Sequence, residues 1–175
     1  MSVETSPRDE AGAFSGYAEP AQRPPFASYA AFSAIFNAGM AGALVAARRS
    51  GRELPERVSA GDLVLLGTAT HKLSRLIAKD KVTVFARAPF TEFQESGGPA
   101  EVEERARGGG LRRAVGELIA CPYCVGLWVS GGFHVGTLFA PRVTRLTASM
   151  LSALTISDFL QIAYKAAEEK GLGGS

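Results

Sequence analysis

The sequence predicts an all-α membrane protein, a bundle of three or four transmembrane helices behind a disordered N-terminal tail. Three observations predict it. Charges crowd into residues 1–25, 48–62, 72–117 and 165–170, and the stretches between them are almost free of charge. Two of those stretches, Tyr29 to Ala47 and Ala120 to Ala140, run 19 and 21 residues with no formal charge. A helix needs roughly 20 such residues to cross the hydrocarbon layer. Breakers such as Gly51, Pro55, Pro89, Pro141 and the Gly108-Gly109-Gly110 run separate the apolar stretches, as helix ends require.

At 175 residues the chain is long enough for one domain with a core. The near balance of 19 basic and 17 acidic residues gives no argument for a nucleic-acid binder, which shows a clear basic excess on one face. Two cysteines are too few for a disulfide framework. Met1 is followed by Glu4, Asp9 and Glu10 rather than by a basic, apolar start, so no cleaved signal peptide is expected.

Residues 1–28 are rich in Ser, Pro, Glu, Gly and Ala. Such a segment buries too little apolar surface to offset its ordering entropy. It is read as a disordered tail before a helical membrane domain over 29–170. The first helix is expected at about 29–47, with small residues Ala38, Gly39, Gly42, Ala43 and Ala47 on close-packing faces. The second is expected at about 62–79, capped by Ser59 or Asp62. Its apolar positions are Leu63, Leu66, Thr70, Leu73 and Ile77, three or four apart. Its second half carries His71, Lys72, Arg75 and Lys79. Lys72, Arg75 and Lys79 share a face, and suit either snorkelling or an anion or headgroup site.

Lys81 to Phe85 reads as a short strand. Residues 91–110 read as a solvated loop, and lack the Gly-Lys-Ser/Thr of a phosphate loop. Leu111 to Ala120 reads as a short amphipathic or re-entrant approach to a third helix at about 120–140. There Gly132 and Gly136 form a small-residue pair suited to a homo-oligomer contact. After Pro141 a fourth helix is expected at about 143–165. It contains one acid, Asp158.

The arrangement Cys121-Pro122-Tyr123-Cys124 matches the active-site tetrapeptide of glutaredoxins. A dithiol at a helix N-terminus favours thiolate. Nevertheless the residues after it read as apolar helices, without the strands and the Thr-Val-Pro loop that support a glutaredoxin dithiol. A closed zinc site needs four ligands, and the chain has two Cys and two His, with His134 about 15 Å from Cys124 along one helix. Neither a metal nor a cofactor is expected.

Three segments together carry a resemblance. They are Thr70-His71-Lys72-Leu73-Ser74-Arg75-Leu76-Ile77-Ala78-Lys79-Asp80, then Arg87-Ala88-Pro89-Phe90, then Glu117 to Trp128 with its Cys-x-x-Cys-x-Gly-x-Trp. Over roughly residues 60–165 the chain resembles domain of unknown function family 1360. These are small bacterial integral membrane proteins, some named as sporulation proteins. The resemblance implies a membrane setting and carries no catalytic role to any residue.

Of the 19 basic residues, 11 fall in the tail, the 79–117 loop and the C-terminus: Arg8, Arg23, Lys79, Lys81, Arg87, Arg105, Arg107, Arg112, Arg113, Lys165 and Lys170. The other connections hold Arg48, Arg49, Arg52, Arg57, Arg142 and Arg145. The majority side is expected to face the cytoplasm, and Cys121 and Cys124 with it. The leading function is structural or assembly-type, with a protein partner bound at the 79–117 loop. The rivals are a membrane thiol oxidoreductase, with Cys121 as nucleophile and Cys124 as resolver, and a small transport or lipid-handling protein. Binding candidates are His71, Lys72, Arg75, Asp80, Trp128 and Asp158. Arg75 and Asp158 lie at matching depths and are expected to pair, with Lys72 as the competing partner of Asp158. The charge-free runs predict that the protein stays in the membrane pellet after a carbonate wash. Recovery as a soluble monomer would overturn the architecture.

Overall fold

The computed structural model describes residues 16–19 and 23–172. Most of the expected tail, residues 1–28, lies outside the described residues, while Phe26 to Ser28 already belong to the first helix. Six α-helices and one hairpin follow in order. They are α1 (Phe26–Arg49), α2 (Ala60–Ala78), a 3-10 turn (Lys81–Thr83) leading into α3 (Val84–Arg87), β1 (Thr91–Ser96), β2 (Val102–Ala106), α4 (Gly110–Ala120), α5 (Pro122–Phe139) and α6 (Pro141–Leu172). α1 and α6 are each long and apolar enough to cross a membrane. α4 and α5 also qualify if taken as one broken span, bent by 80° at Cys121.

Local chemistry explains the ends. Ser59 caps α2, its hydroxyl accepting from the Asp62 amide at 3.0 Å. Pro122 stands at the first turn of α5, where its missing N–H costs nothing.

α2 is the hub. It packs against both α5 and α6, while α1 packs chiefly on α5 and α4. The core is Leu66 and Ala69 of α2, Phe133 of α5, and Ala148 and Leu151 of α6. Ala69 and Ala148 are fully buried, and small residues of this kind allow two helix backbones to approach closely. α5 uses glycine in the same way. A Cβ on Gly131 would stand 2.9 Å from the Phe36 ring, and one on Gly136 would stand 2.5 Å from Thr144 Oγ1.

α2 and α6 run parallel, as the order of their polar contacts shows. Arg145 pairs with Asp62 at 2.9 Å. Ser152 Oγ donates to Leu65 O at 2.9 Å. Thr155 Oγ1 donates to Thr68 O at 3.4 Å. Lys72 Nζ donates to Asp158 Oδ2 at 2.6 Å. Beyond Asp158, residues 159–171 of α6 are exposed on every face.

The all-α expectation needs correction, because residues 91–106 form an antiparallel hairpin. The register shifts between Phe93 and Glu95. The expected strand at Lys81 to Phe85 is instead the 3-10 turn and α3, started by Asp80 Oδ1 accepting from the Val82 amide at 2.8 Å. The reason is tertiary. β2 is Val-Glu-Glu-Arg-Ala, and Glu is depleted in strands, so the segment reads as solvated. In the fold those glutamates meet cations from the end of α2 and from α3.

The most enclosed of these pairs is Arg87 with Glu104, whose side chains are 2% and 3% exposed. The guanidinium also donates to Thr83 Oγ1, to Ile77 O at 2.7 Å and to Asp80 O at 3.1 Å. Glu104 Oε1 accepts from Thr91 Oγ1 at 3.0 Å. Arg87 thus satisfies a carbonyl that the end of α2 leaves without a helical partner, while it fastens β2. α4 closes over the hairpin base, where a Cβ on Gly116 would stand 2.4 Å from Phe90 O. Removing one charge of a buried pair strands the other at a cost of about 3–5 kcal/mol. Glu104→Gln is therefore expected to lower thermal stability in detergent by a sum of that order and to open the hairpin to trypsin at Arg105 and Arg107. Unchanged melting and protection would show that the pair does not hold the hairpin.

Candidate functional site

Chemistry concentrates at the end of the bundle that carries the hairpin, α4 and the start of α5. Charged partners there come in matched sets. Arg75 forks onto Glu101, with Nε to Oε1 at 3.0 Å and Nη2 to Oε2. Lys79 Nζ donates to Glu103 Oε2 at 2.6 Å. With Arg87–Glu104, three cations on 75–87 meet three acids on 101–104 in the same order along both segments.

This overturns the expected Arg75–Asp158 pair. Arg75 points to the hairpin, and Lys72, the competitor, takes Asp158. The reason is angular. Arg75 lies three residues beyond Lys72, so α2 turns it some 60° away from the α6 side that Lys72 faces. The Lys72 side chain is 17% exposed and that of Asp158 47%, so the pair lies at the edge of the α2–α6 seam.

The other candidates divide. Asp80 starts the 3-10 turn and bridges to Glu101 across the hairpin root. His71 is exposed, and no hydrogen bond or ion pair reaches it among the described residues. Among those residues no three His, Cys, Asp or Glu side chains are grouped to hold a metal ion. Of the small-residue pair, Gly136 is occupied by Thr144 of the same chain, whereas Gly132 faces open space.

Cys121 is the N-cap of α5, its sulfur accepting from the Cys124 amide at 3.3 Å. Cys124 Sγ donates to Cys121 Sγ at 2.7 Å, and both thiols are free. α5 packs against α1, α2, α4 and α6, with no strand beside it among the described residues. The motif therefore stands outside a glutaredoxin scaffold.

Two cavities flank this framework. One of about 410 Å³ lies between α1 and the α4–α5 corner. Trp128 lines it, edge-on to Phe36 with ring centroids 5.4 Å apart. Cys124 and Glu117 line it too. Glu117 accepts from Tyr29 Oη and from Arg113 Nε, the latter at 2.8 Å. The other, of about 770 Å³, lies at the opposite end, under the 53–58 connection.

Sequence reasoning missed Glu101, Glu103, Glu104, Arg87, Tyr29 and Glu117 as partners. The one signal available was the ordered match of three bases on 75–87 to three acids on 101–104. The pair assignment predicts a double-mutant outcome. Lys72→Met and Asp158→Asn should each lower the melting temperature in detergent and be non-additive together. Arg75→Gln with Asp158→Asn should add within about 0.5 kcal/mol, as unconnected sites do. The reverse pattern would restore the Arg75–Asp158 pairing.

No solved structure matches the chain. It is 35% identical over 102 residues to "Sporulation protein YjcA" of Bacillus subtilis (strain 168), covering 57% of this chain and 86% of that one. It is 29% identical over 92 residues to "UPF0713 protein YngL" of the same organism, covering 50% of this chain and 66% of that one. A family model described as "Protein of unknown function (DUF1360)" matches residues 65–164, which run from the core of α2 through the hairpin to Tyr164 of α6. The chain belongs to the DUF1360 family.

Proposed function

We propose that this is a multi-pass membrane protein that holds the β1–β2 hairpin rigid at the cytoplasmic surface as a docking platform for a protein partner. Four helices span the bilayer in this reading, namely α1, α2, α5 and α6, and α4 lies along the surface. Supporting the spans is a consistent ruler. Asp62 to Lys79 on α2 is 17 residues, about 26 Å, and Arg145 to Lys165 on α6 is 20 residues, about 30 Å. Both fit a hydrocarbon core of about 30 Å, and in both a charged residue stands at each end. Exposed apolar side chains run along α1 and α6, among them Ile35, Leu44 and Val45 on α1 and Leu146, Met150, Leu154, Phe159 and Leu160 on α6, while on α2 they are Leu63 and Val64 near its start. A belt of that extent suits lipid contact. The 80° bend at Cys121 turns α4 across the axis of α5. The excess of Lys and Arg at the hairpin end supports a cytoplasmic hairpin.

One observation carries the platform reading. Three ion pairs, one of them buried, fasten the hairpin to α2 and α3, while β1 keeps its outer edge and five of its six residues exposed. Among these is Phe93, 61% exposed. A rigid strand with a free edge and an aromatic anchor is what strand addition by a partner uses. The name of the relative, a sporulation protein, suits an assembly role at a membrane.

A photo-crosslinking residue at position 93, in native membranes, tests this. The expected result is one discrete protein adduct that Glu92→Lys with Glu95→Lys weakens. A crosslinker at Phe139, at the opposite end, should give no adduct of the same size. Adducts to lipid alone from position 93, or the same adduct from both positions, would sink the platform reading.

A further inference from the structure

We propose that the cavity between α1 and the α4–α5 corner binds one acyl chain of a zwitterionic phospholipid, with the headgroup at Arg113 and Glu117. The site uses the membrane setting argued above and does not depend on a partner at β1.

The cavity is about 410 Å³, within the usual range of ligand pockets of about 300–1,000 Å³. Its α1 wall runs from Tyr29 to Asn37, eight residues or about 12 Å of helix. Its polarity is graded along that length. Phe36 and Trp128 form the deep part, and Tyr29 and Glu117 the outer end beside the surface helix α4. Asn37, the polar residue at depth, spends one amide N–H on Ser33 O at 2.8 Å. An apolar channel with a polar mouth matches a molecule that enters tail first.

The surroundings select a lipid over a soluble ligand or a second copy of the chain. α1 has one fully buried residue, Ala47, and packs chiefly on α5 and α4. The seam on its flank therefore opens toward hydrocarbon, where lipid chains are the abundant species. Helix association in a bilayer rests on close packing, and a seam of this size left unfilled would forfeit those contacts along α1.

The mouth carries both signs. Glu117 lines the cavity, and Arg113, its partner one turn earlier on α4, is 33% exposed beside it, with Nη1 donating to Arg23 O at 3.4 Å. Each Glu117 oxygen accepts one hydrogen bond, from Arg113 or from Tyr29, and a carboxylate oxygen has room for a second. An ethanolamine ammonium can donate to Glu117 while its phosphate accepts from Arg113. A phosphatidylglycerol headgroup satisfies Arg113 and offers Glu117 no cation.

Trp128 is the only tryptophan in the chain, which makes it a reporter inside the cavity. The full chain is reconstituted in phosphatidylglycerol vesicles. Either dibromo-acyl phosphatidylethanolamine or dibromo-acyl phosphatidylglycerol is then titrated in at low mole fraction. The expected result is saturable quenching of Trp128 by the ethanolamine lipid, at roughly tenfold lower mole fraction than by the glycerol lipid, equivalent to about 1.4 kcal/mol. Ser33→Phe, which fills the channel, should abolish the saturable component. Glu117→Gln should bring the ethanolamine lipid to the level of the glycerol lipid with helix content unchanged. Quenching that simply follows mole fraction, equal for both lipids and unaltered in both variants, would overturn the site. Failure of the protein to float with the vesicles would overturn the membrane setting and the site with it.

Discussion

The structure depends on how α2 disposes of its charges. The helix at the centre of the bundle carries Asp62, Lys72 and Arg75, with Lys79 at its end, and two other helices press against it. A charge held in such a place needs an opposite charge, because desolvation without pairing is costly. The rest of the chain supplies the partners. α6 offers Arg145 and Asp158 from one side, and the hairpin offers Glu101 and Glu103 from the end. Parallel packing of α6 against α2 puts Arg145 at Asp62 and Asp158 at Lys72 together. The hydroxyls of Ser152 and Thr155 fill the interval with contacts to α2 carbonyls.

The same economy explains the hairpin. A helix ends with four carbonyls that have no helical donor. Here Thr83 donates to Leu76 O and Arg87 donates to Ile77 O. Arg87 then needs a counter-charge, and Glu104 of β2 provides it. The C-terminal end of α2 and the two-stranded sheet are thus one polar unit. A two-stranded hairpin is marginal alone in water, but this one is held by charges from α2 and α3 beneath and by α4 over its base. What remains free is its outer edge, the property that the platform reading uses.

The cavity beside Trp128 has a related origin. α1 is outside the polar scheme of α2. It is held by apolar packing on α5, by the close approach of Phe36 to Gly131, and by Tyr29 at Glu117. A helix fixed at such points leaves a seam between them. Cys124 lines that seam, and Cys121 beside it serves as the cap of α5.

Segments whose structure follows from local composition were legible in the sequence alone. The apolar runs announced α1, α5 and α6. Ser59 and Asp62 announced the start of α2 within a turn, and Ser59 proved to be the cap; the Arg-Leu-Ile and Cys-x-x-Cys segments announced the family. Hydropathy and capping act within a few residues, so the order of residues suffices for them. The hairpin was hidden, because Val-Glu-Glu-Arg-Ala is a strand only when Arg87, Lys79 and α4 stand around it. The partner of Asp158 was hidden too. Depth along the helices made Arg75 and Lys72 near equals, and the choice between them turned on which side of α2 faces α6. That is an angle between packed helices, which comes into being only when α5 and α6 close on α2. Tertiary structure likewise decided that Gly136 is filled by Thr144 while Gly132 stays open, because spacing marks a face as small without saying what will lie against it.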